Sequence, residues 1–346
     1  MFFHERLLLL FEAMFWHENL FAISKLFIMK KLTKRIIAAG IILIGITFSN
    51  TLMAQTDIDA IMMEKNAFCV GPMYSYSSWK NYWEGTLKRE NLNLGKVSTQ
   101  MFGLMGNYGL TRKINLLFSA PYVKTKASAG TLHGMKGIQD LSLFVKWRPI
   151  QKKMGDGRLS VFGIAGISFP LGDYTPDFLP LSIGLHSKTA LARLMADYEQ
   201  GNLFATGSAT YVYRDNIEID RTSYYTIEMH YSNEVEMHDG VNFNFRAGFR
   251  NHRLIAEAVV NNWTTLGGFD ITRNNMPFPS NKMNATTVGV NLKYVLPFLP
   301  QLSIVAGGNA TIAGRNVGQA TNVYGSFFYV FDLSHKTKSS DQPSKK

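Results

Sequence analysis

The residues whose type and spacing point to chemistry are charged and amide side chains set along alternating segments. In the stretch VNFNFRAGFR, the odd positions are Val241, Phe243, Phe245, Ala247 and Phe249, and the even ones include Asn242, Asn244, Arg246 and Arg250. Further upstream, Asp140, Lys146 and Arg148 alternate with Leu141, Leu143, Val145 and Trp147. Downstream, Asn291 and Lys293 alternate with Val290, Leu292 and Tyr294. Side chains of a strand alternate between its two faces, so each segment has one oily face and one wet face. If the wet faces enclose a lumen, rings of such charges bias which solutes pass. The same groups could instead pair with one another and brace the interior. Together these polar residues are the candidate lumen-lining set.

Signatures of other chemistry are missing from the sequence. It contains no His/Cys cluster with metal-ligand spacing, no phosphate-binding glycine loop and no nucleophile elbow. No catalytic residue, metal or cofactor is expected, and the protein is not expected to be an enzyme. A membrane-embedded hydrolase would need a serine with a histidine base. His133, His230 and His238 fall in expected loops, while His186 sits beside Ser187 in an expected strand over 185–198. Neighbours on a strand face opposite sides, so those two could not form a dyad. Cys69 is the single cysteine, which excludes an intrachain disulfide. No basic cluster is interleaved with stacking aromatics, so nucleic acid is not an expected partner.

The elements that must position these residues read as strands. Period-two alternation recurs over about 68–78, 97–109, 114–126, 138–148, 158–169, 185–198, 203–213, 241–250, 254–264, 285–295, 302–313 and 320–331. Most of these segments exceed the ~5–6 residues of an ordinary globular strand and suit a tilted membrane span of ~9–11. Their connections alternate between short turns, such as Leu110–Lys113 and Asn251–Arg253, and long loops, such as Trp79–Lys96 and Arg214–Gly240. That sorting is the habit of an outer-membrane barrel, with short turns on the periplasmic side and longer loops outside. The expected fold is all-β: a transmembrane antiparallel up-and-down barrel of about twelve strands. Fourteen strands would result if the loop Arg214–Gly240 contributes a hairpin to the wall. Trp79, Trp83, Trp147, Trp263, Tyr294 and Phe331 lie near strand ends, where aromatic girdles are expected.

The chain has 346 residues, of which 46% are hydrophobic, too few for a bundle of membrane helices. Residues 29–54 have the layout of a secretory signal peptide: Lys30, Lys31, Lys34 and Arg35, then the apolar run Ile36–Phe48, then Ala54. Residues 1–28 read as an over-extended start. Residues 55–67 are an N-terminal periplasmic segment able to plug a lumen, 68–331 the barrel, and 332–346 a polar disordered tail. Loss of residues 1–54 removes six Lys/Arg from 36 and three Asp/Glu from 25, leaving a net charge of +8. This excess suggests a slight preference for anions, although part of it sits in the tail.

Three stretches, YGLTRKINLLFSAPYV (108–123), GIQDLSLFVKWRPI (137–150) and GISFPLGDYTPDF (166–178), resemble the MetA-pathway phenol-degradation family of outer-membrane transporters. The shared grammar is a Tyr-Gly-Leu-Thr turn before an alternating strand, a glycine-led strand ending in a basic-aromatic pair, and a strand closing on Pro-x-Gly-Asp. Gln139 and Leu171 depart from it. The resemblance implies a barrel that takes up a small, often hydrophobic or aromatic, compound, and it supplies no substrate residues. The expected partners are outer-membrane lipid and that solute. The alternatives are a barrel hydrolase and an adhesive barrel that binds through its outer loops.

Overall fold

The computed structural model describes residues 56–334 apart from Asn274. The expected start segment, the signal segment and the tail from residue 335 lie outside the described residues. Twelve long strands form the wall: β1 (Ala67–Trp79), β2 (Val97–Gly109), β3 (Ile114–Ala127), β4 (Asp140–Met154), β5 (Gly157–Pro170), β6 (Thr189–Gln200), β7 (Leu203–Arg214), β8 (Gly240–Arg250), β9 (Leu254–Thr265), β10 (Asn284–Leu296), β11 (Leu299–Arg315) and β12 (Thr321–Asp332). Each pairs antiparallel with its sequence neighbours. β1 pairs with both β2 and β12, placing Phe68 opposite Tyr108 on one side and Phe331 on the other. The sheet is therefore closed, and every strand has two partners, the arrangement a bilayer demands of backbone polar groups. The short piece Lys136–Ile138 pairs with β3 ahead of β4 and belongs to the same run of chain.

Alternation fixes the two surfaces. Phe243 and Phe245 are among the exposed apolar residues, as are Phe102, Leu143, Val145, Leu194, Tyr211, Val290, Leu292 and Phe327. Their strand neighbours Asn244, Arg246, Lys146 and Lys293 are buried. A soluble sandwich would show the reverse. Covering a Phe or Leu side chain is worth about 1.5–3 kcal/mol, so an apolar band of this kind is stable only against hydrocarbon. No helix among the described residues is long and apolar enough to cross a membrane; the strands do the crossing.

Several details differ from expectation. The loop between β7 and β8 holds two short ladders, Ile217–Glu218 with Glu234–Val235 and Tyr224–Tyr225 with Met229–His230. They close over Ile217, Ile219, Tyr224, Val235 and Met237. This hairpin has its own small core and stays out of the wall, so the barrel keeps the expected twelve strands and the fourteen-strand alternative falls away. The loop after β1 contains an unforeseen hairpin, Asn81–Glu84 with Leu87–Glu90. It buries Trp83, removing that ring from the expected girdle. Trp147, Tyr294 and Phe331 do stand exposed, all toward the short-turn end. Strand β6 starts at Thr189, so His186 and Ser187 lie in the preceding loop, and strand alternation is not what separates them. His186 has a left-handed backbone (φ 56°), and Ser187 Oγ donates to the Asp215 carbonyl at 2.5 Å.

Candidate functional site in the lumen

Residues 56–66, just ahead of β1, run inside the barrel. The sequence DIDAIMMEKN has no strand period and no helical one. Its shape comes instead from a polar turn. Asp59 Oδ2 accepts from the Thr56 backbone N–H at 2.6 Å and from the Thr56 hydroxyl at 3.0 Å, and Asp59 Oδ1 accepts from the Ile61 N–H at 3.0 Å. A short carboxylate that hydrogen-bonds nearby backbone in this way replaces regular structure. The segment then returns to the rim at Asn66, which adopts the left-handed conformation (φ 63°) that asparagine tolerates. Asn66 N–H donates to the Gly109 carbonyl at 2.7 Å, and Leu333 N–H to the Asn66 carbonyl at 2.8 Å. Gly109 makes room for this passage: a Cβ there would lie 1.9 Å from the Glu64 carbonyl oxygen.

Two wall cations hold the inserted turn. Lys146 on β4 is fully buried, and its Nζ donates to the Asp59 carbonyl at 2.5 Å, Asp59 Oδ1 at 3.1 Å and the Thr56 carbonyl at 3.1 Å. Arg193 on β6 donates through Nη1 to the Asp57 carbonyl and to Asp57 Oδ2, both at 2.9 Å, while its Nε donates to Thr210 Oγ1 at 2.7 Å. Cross-strand register brings these groups together. Lys146 is opposite Ile164, Ile164 opposite Arg193, and Arg193 opposite Thr210. Apolar contacts complete the seat: Ala60 packs with Phe162, Ile164 and Met195, and Met63 with Ala67, Cys69, Phe328 and Val330. The Asp59 carboxyl is pushed up by burial. The Lys146 and Lys293 ammonium groups and the two backbone donors outweigh that effect and hold it below the usual carboxylate range.

The neighbouring arc, β8 to β10, is paired within the wall. Arg246 Nη1 meets Glu257 Oε1 at 2.6 Å, and Arg246 Nε donates to Asn244 Oδ1 at 2.9 Å. Asn291 donates to the same Glu257 oxygen at 2.8 Å, and Asn242 and Asn244 both donate to Asn261 Oδ1. Arg250 reaches Asp197 at 3.1 Å and lies over the Phe204 ring. Between plug and wall is a cavity of about 40 Å³ bordered by Asp59, Arg246, Arg250, Asn291 and Lys293. Lys293 Nζ is buried there with no hydrogen-bond partner among the described residues.

Two of the residues singled out from sequence lie away from this centre. Asp140, at the long-loop end of β4, accepts from the Tyr174 hydroxyl at 2.5 Å, and that hydroxyl also receives the His186 N–H at 3.1 Å. Burial, and then the hydrogen bond to Asp140, raise the Tyr174 hydroxyl well above its ordinary pKa. Beside it, Tyr174, His186, Lys188, Asp215 and Glu218 border a cavity of about 880 Å³ among the long loops. Arg148 follows a register shift after Trp147 and donates to the Arg112 carbonyl at the short-turn rim, at 3.2 Å. Arg193, Asp197, Glu257 and the plug carboxylates were missed from sequence.

The fold and this site define a membrane-spanning β-barrel with a polar, ion-paired lumen occupied by its own N-terminal segment. No protein-family model matches the chain, and no curated protein does. Among solved structures it is similar to the COG4313 outer membrane channel from Pseudomonas putida. The identity is 12%, the TM-score is 0.64, and the match covers 81% of this chain and 100% of that one. The translocator domain of the autotransporter NalP from Neisseria meningitidis overlaps at 11% identity and a TM-score of 0.41, covering 80% and 90% of the two chains. The first likeness is one of fold, and the resemblance to the phenol-degradation family rests on its three stretches alone.

Proposed function

We propose that this protein is a gated channel of a Gram-negative-type outer membrane, one that passes a small solute through its lumen when the N-terminal plug leaves. The observation that carries this reading is the nature of the plug's seat. A purely structural filler would be expected to meet an apolar wall, because hydrophobic packing is the robust way to stabilise an interior. Here the segment is held by two ion pairs beside the apolar packing of Ala60 and Met63, so its polar partners can be exchanged for water or for a solute. The likeness in fold to a COG4313 outer membrane channel supports the same reading. The expected short turns lie on the side of both termini, and entry of the plug from the periplasm agrees with that sorting. The three stretches shared with the phenol-degradation family favour a solute with a hydrophobic or aromatic body.

Planar-bilayer recording and liposome swelling with the purified full chain test this reading. The double variant Asp57→Asn, Asp59→Asn should conduct more, and for longer, than the unaltered chain. Lipid cleavage without solute flux would instead identify a barrel hydrolase. The absence of both from the unaltered chain and the variant would leave adhesion through the outer loops.

A further inference from the structure

The lumenal charges pair unevenly. Arg246 has Glu257, Arg250 has Asp197, and Arg158 has Glu199 at 3.0 Å near the short-turn rim. Once those pairs are made, Lys146, Arg193 and Lys293 remain without a carboxylate from the wall, as does Arg214 at the long-loop end, whose Nε donates to the His238 carbonyl at 2.6 Å. The plug supplies carboxylates to the first two, Asp59 at 3.1 Å and Asp57 at 2.9 Å. It leaves Lys293 Nζ buried and unpartnered on the cavity it shares with Asp59. Burying a cation without a partner is expensive, so a lumen built this way calls for an anion.

The surroundings of these cations say more. Phe162 lies under Lys146, its ring centroid 5.7 Å from Nζ. Ile164 and Met195 pack beside Phe162, with Phe144 and Leu191 behind them. In the closed state this apolar wall is covered by Ala60 and Met62, the residues next to the Asp59 carboxylate and close to it in sequence. The plug therefore presents a carboxylate joined to a small apolar body, and the wall offers the matching cations and apolar floor.

We infer that the plug occupies the binding site of the permeant, and that the permeant is an organic monocarboxylate with a compact apolar or aromatic body. Its carboxylate takes the place of Asp59 and Asp57 at Lys146 and Arg193, its body rests on Phe162, Ile164 and Met195, and Lys293 draws it onward. Competition between this solute and the plug for the same cations is then the gating step. The inference rests on the channel reading and narrows its solute.

Reversal potentials and liposome swelling on the Asp57→Asn, Asp59→Asn variant provide the test, with benzoate, benzyl alcohol and benzylamine as probes of matched size. Chloride should permeate at least about fivefold better than potassium, the factor that one charge at contact distance supplies even in water. Benzoate should enter faster than both other probes. Lys293→Gln leaves the wall's ion pairs intact and should lower the anion preference. Adding Lys146→Gln and Arg193→Gln should abolish it. Conductance with a preference for cations, or equal entry of benzoate and benzyl alcohol, overturns the carboxylate assignment and leaves the channel standing. No conductance from the variant or from the unaltered chain removes both.

Discussion

Arg246 and Lys146 are both buried cations on the inner wall, yet they are neutralised in opposite ways. Arg246 finds Glu257 on the next strand, and Asn244 and Asn291 complete the network. Every member comes from β8, β9 or β10, so this arc is satisfied as soon as the barrel closes. Lys146 finds its acid outside the wall, in Asp59, as Arg193 finds Asp57. The arc formed by β4 and β6 is satisfied only when the N-terminal segment is seated. One arc contributes to barrel stability and the other to occupancy of the lumen, although by composition they look alike.

The largest effects should separate the two arcs. Removing one partner of a buried pair costs about 3–5 kcal/mol because the other charge stays buried and unpaired. Lys146→Ala should place that cost on the plug, while Arg246→Ala places it on the barrel. Cys69 offers a direct readout. It is the single cysteine of the chain, it is buried, and it packs against Met63 of the plug. Maleimide labelling of Cys69 should rise strongly in Lys146→Ala, with the heat-modifiable gel shift unchanged. Arg246→Ala should instead lower the temperature of the gel shift without raising labelling. Equal behaviour of the two variants in both assays would erase the distinction between the arcs.

How far the sequence shows these arcs depends on what sets each residue's position. The period-two pattern locates β2, Val97–Gly109, and it puts Lys146 on the inner face because alternation in β4 is unbroken up to Trp147. It misplaces Arg148, since Pro149 has no N–H for the ladder and the register shifts there. It loses Arg193 because the expected strand over 185–198 takes in Ser187 and Lys188, which belong to the loop; counting from Thr189 restores the parity of Arg193, Met195 and Asp197. Asp57 and Asp59 carry no periodic signal. Their wall partners lie 136 and 87 residues away in sequence, and closure of the barrel alone brings them together.

Acid should act on the plug arc next. The seated Asp59 carboxyl lies below the usual range, so its stabilising effect is complete above the unseated value, about pH 4. That effect fades as the pH falls through the lower seated value. Conductance should therefore increase only below about pH 4 and return on neutralisation. Asp59→Asn should flatten this dependence. A pH response that survives in Asp59→Asn would assign the acid sensitivity to another group.

Gly109→Ala tests the same arc sterically, without touching a charge. Its Cβ would meet the Glu64 carbonyl oxygen, and overpacking of this kind costs about 1–3 kcal/mol. The plug, the less firmly held partner, should be the one to move, so Cys69 labelling should increase less than in Lys146→Ala. A lowered gel-shift temperature with unchanged labelling would mean that the plug is the firmer of the two.

The smallest effect belongs to an ion pair with the best geometry. Arg315 grips Asp270 through Nε at 2.8 Å and Nη2 at 2.6 Å, and Asn316 adds a third bond at 2.7 Å. The Arg315 hydrogen bond holds the Asp270 carboxyl below its usual range. Yet these side chains are 35% and 40% exposed at the long-loop rim, where water screens charge and a pair contributes ~0–1 kcal/mol. Asp270→Asn should leave Cys69 labelling, the gel shift and ion selectivity nearly unchanged. A change in selectivity as large as that from Lys293→Gln would move the charge filter from the lumen to the outer rim. The contrast thus isolates burial: three hydrogen bonds in water should matter less than one ammonium group sealed inside the barrel.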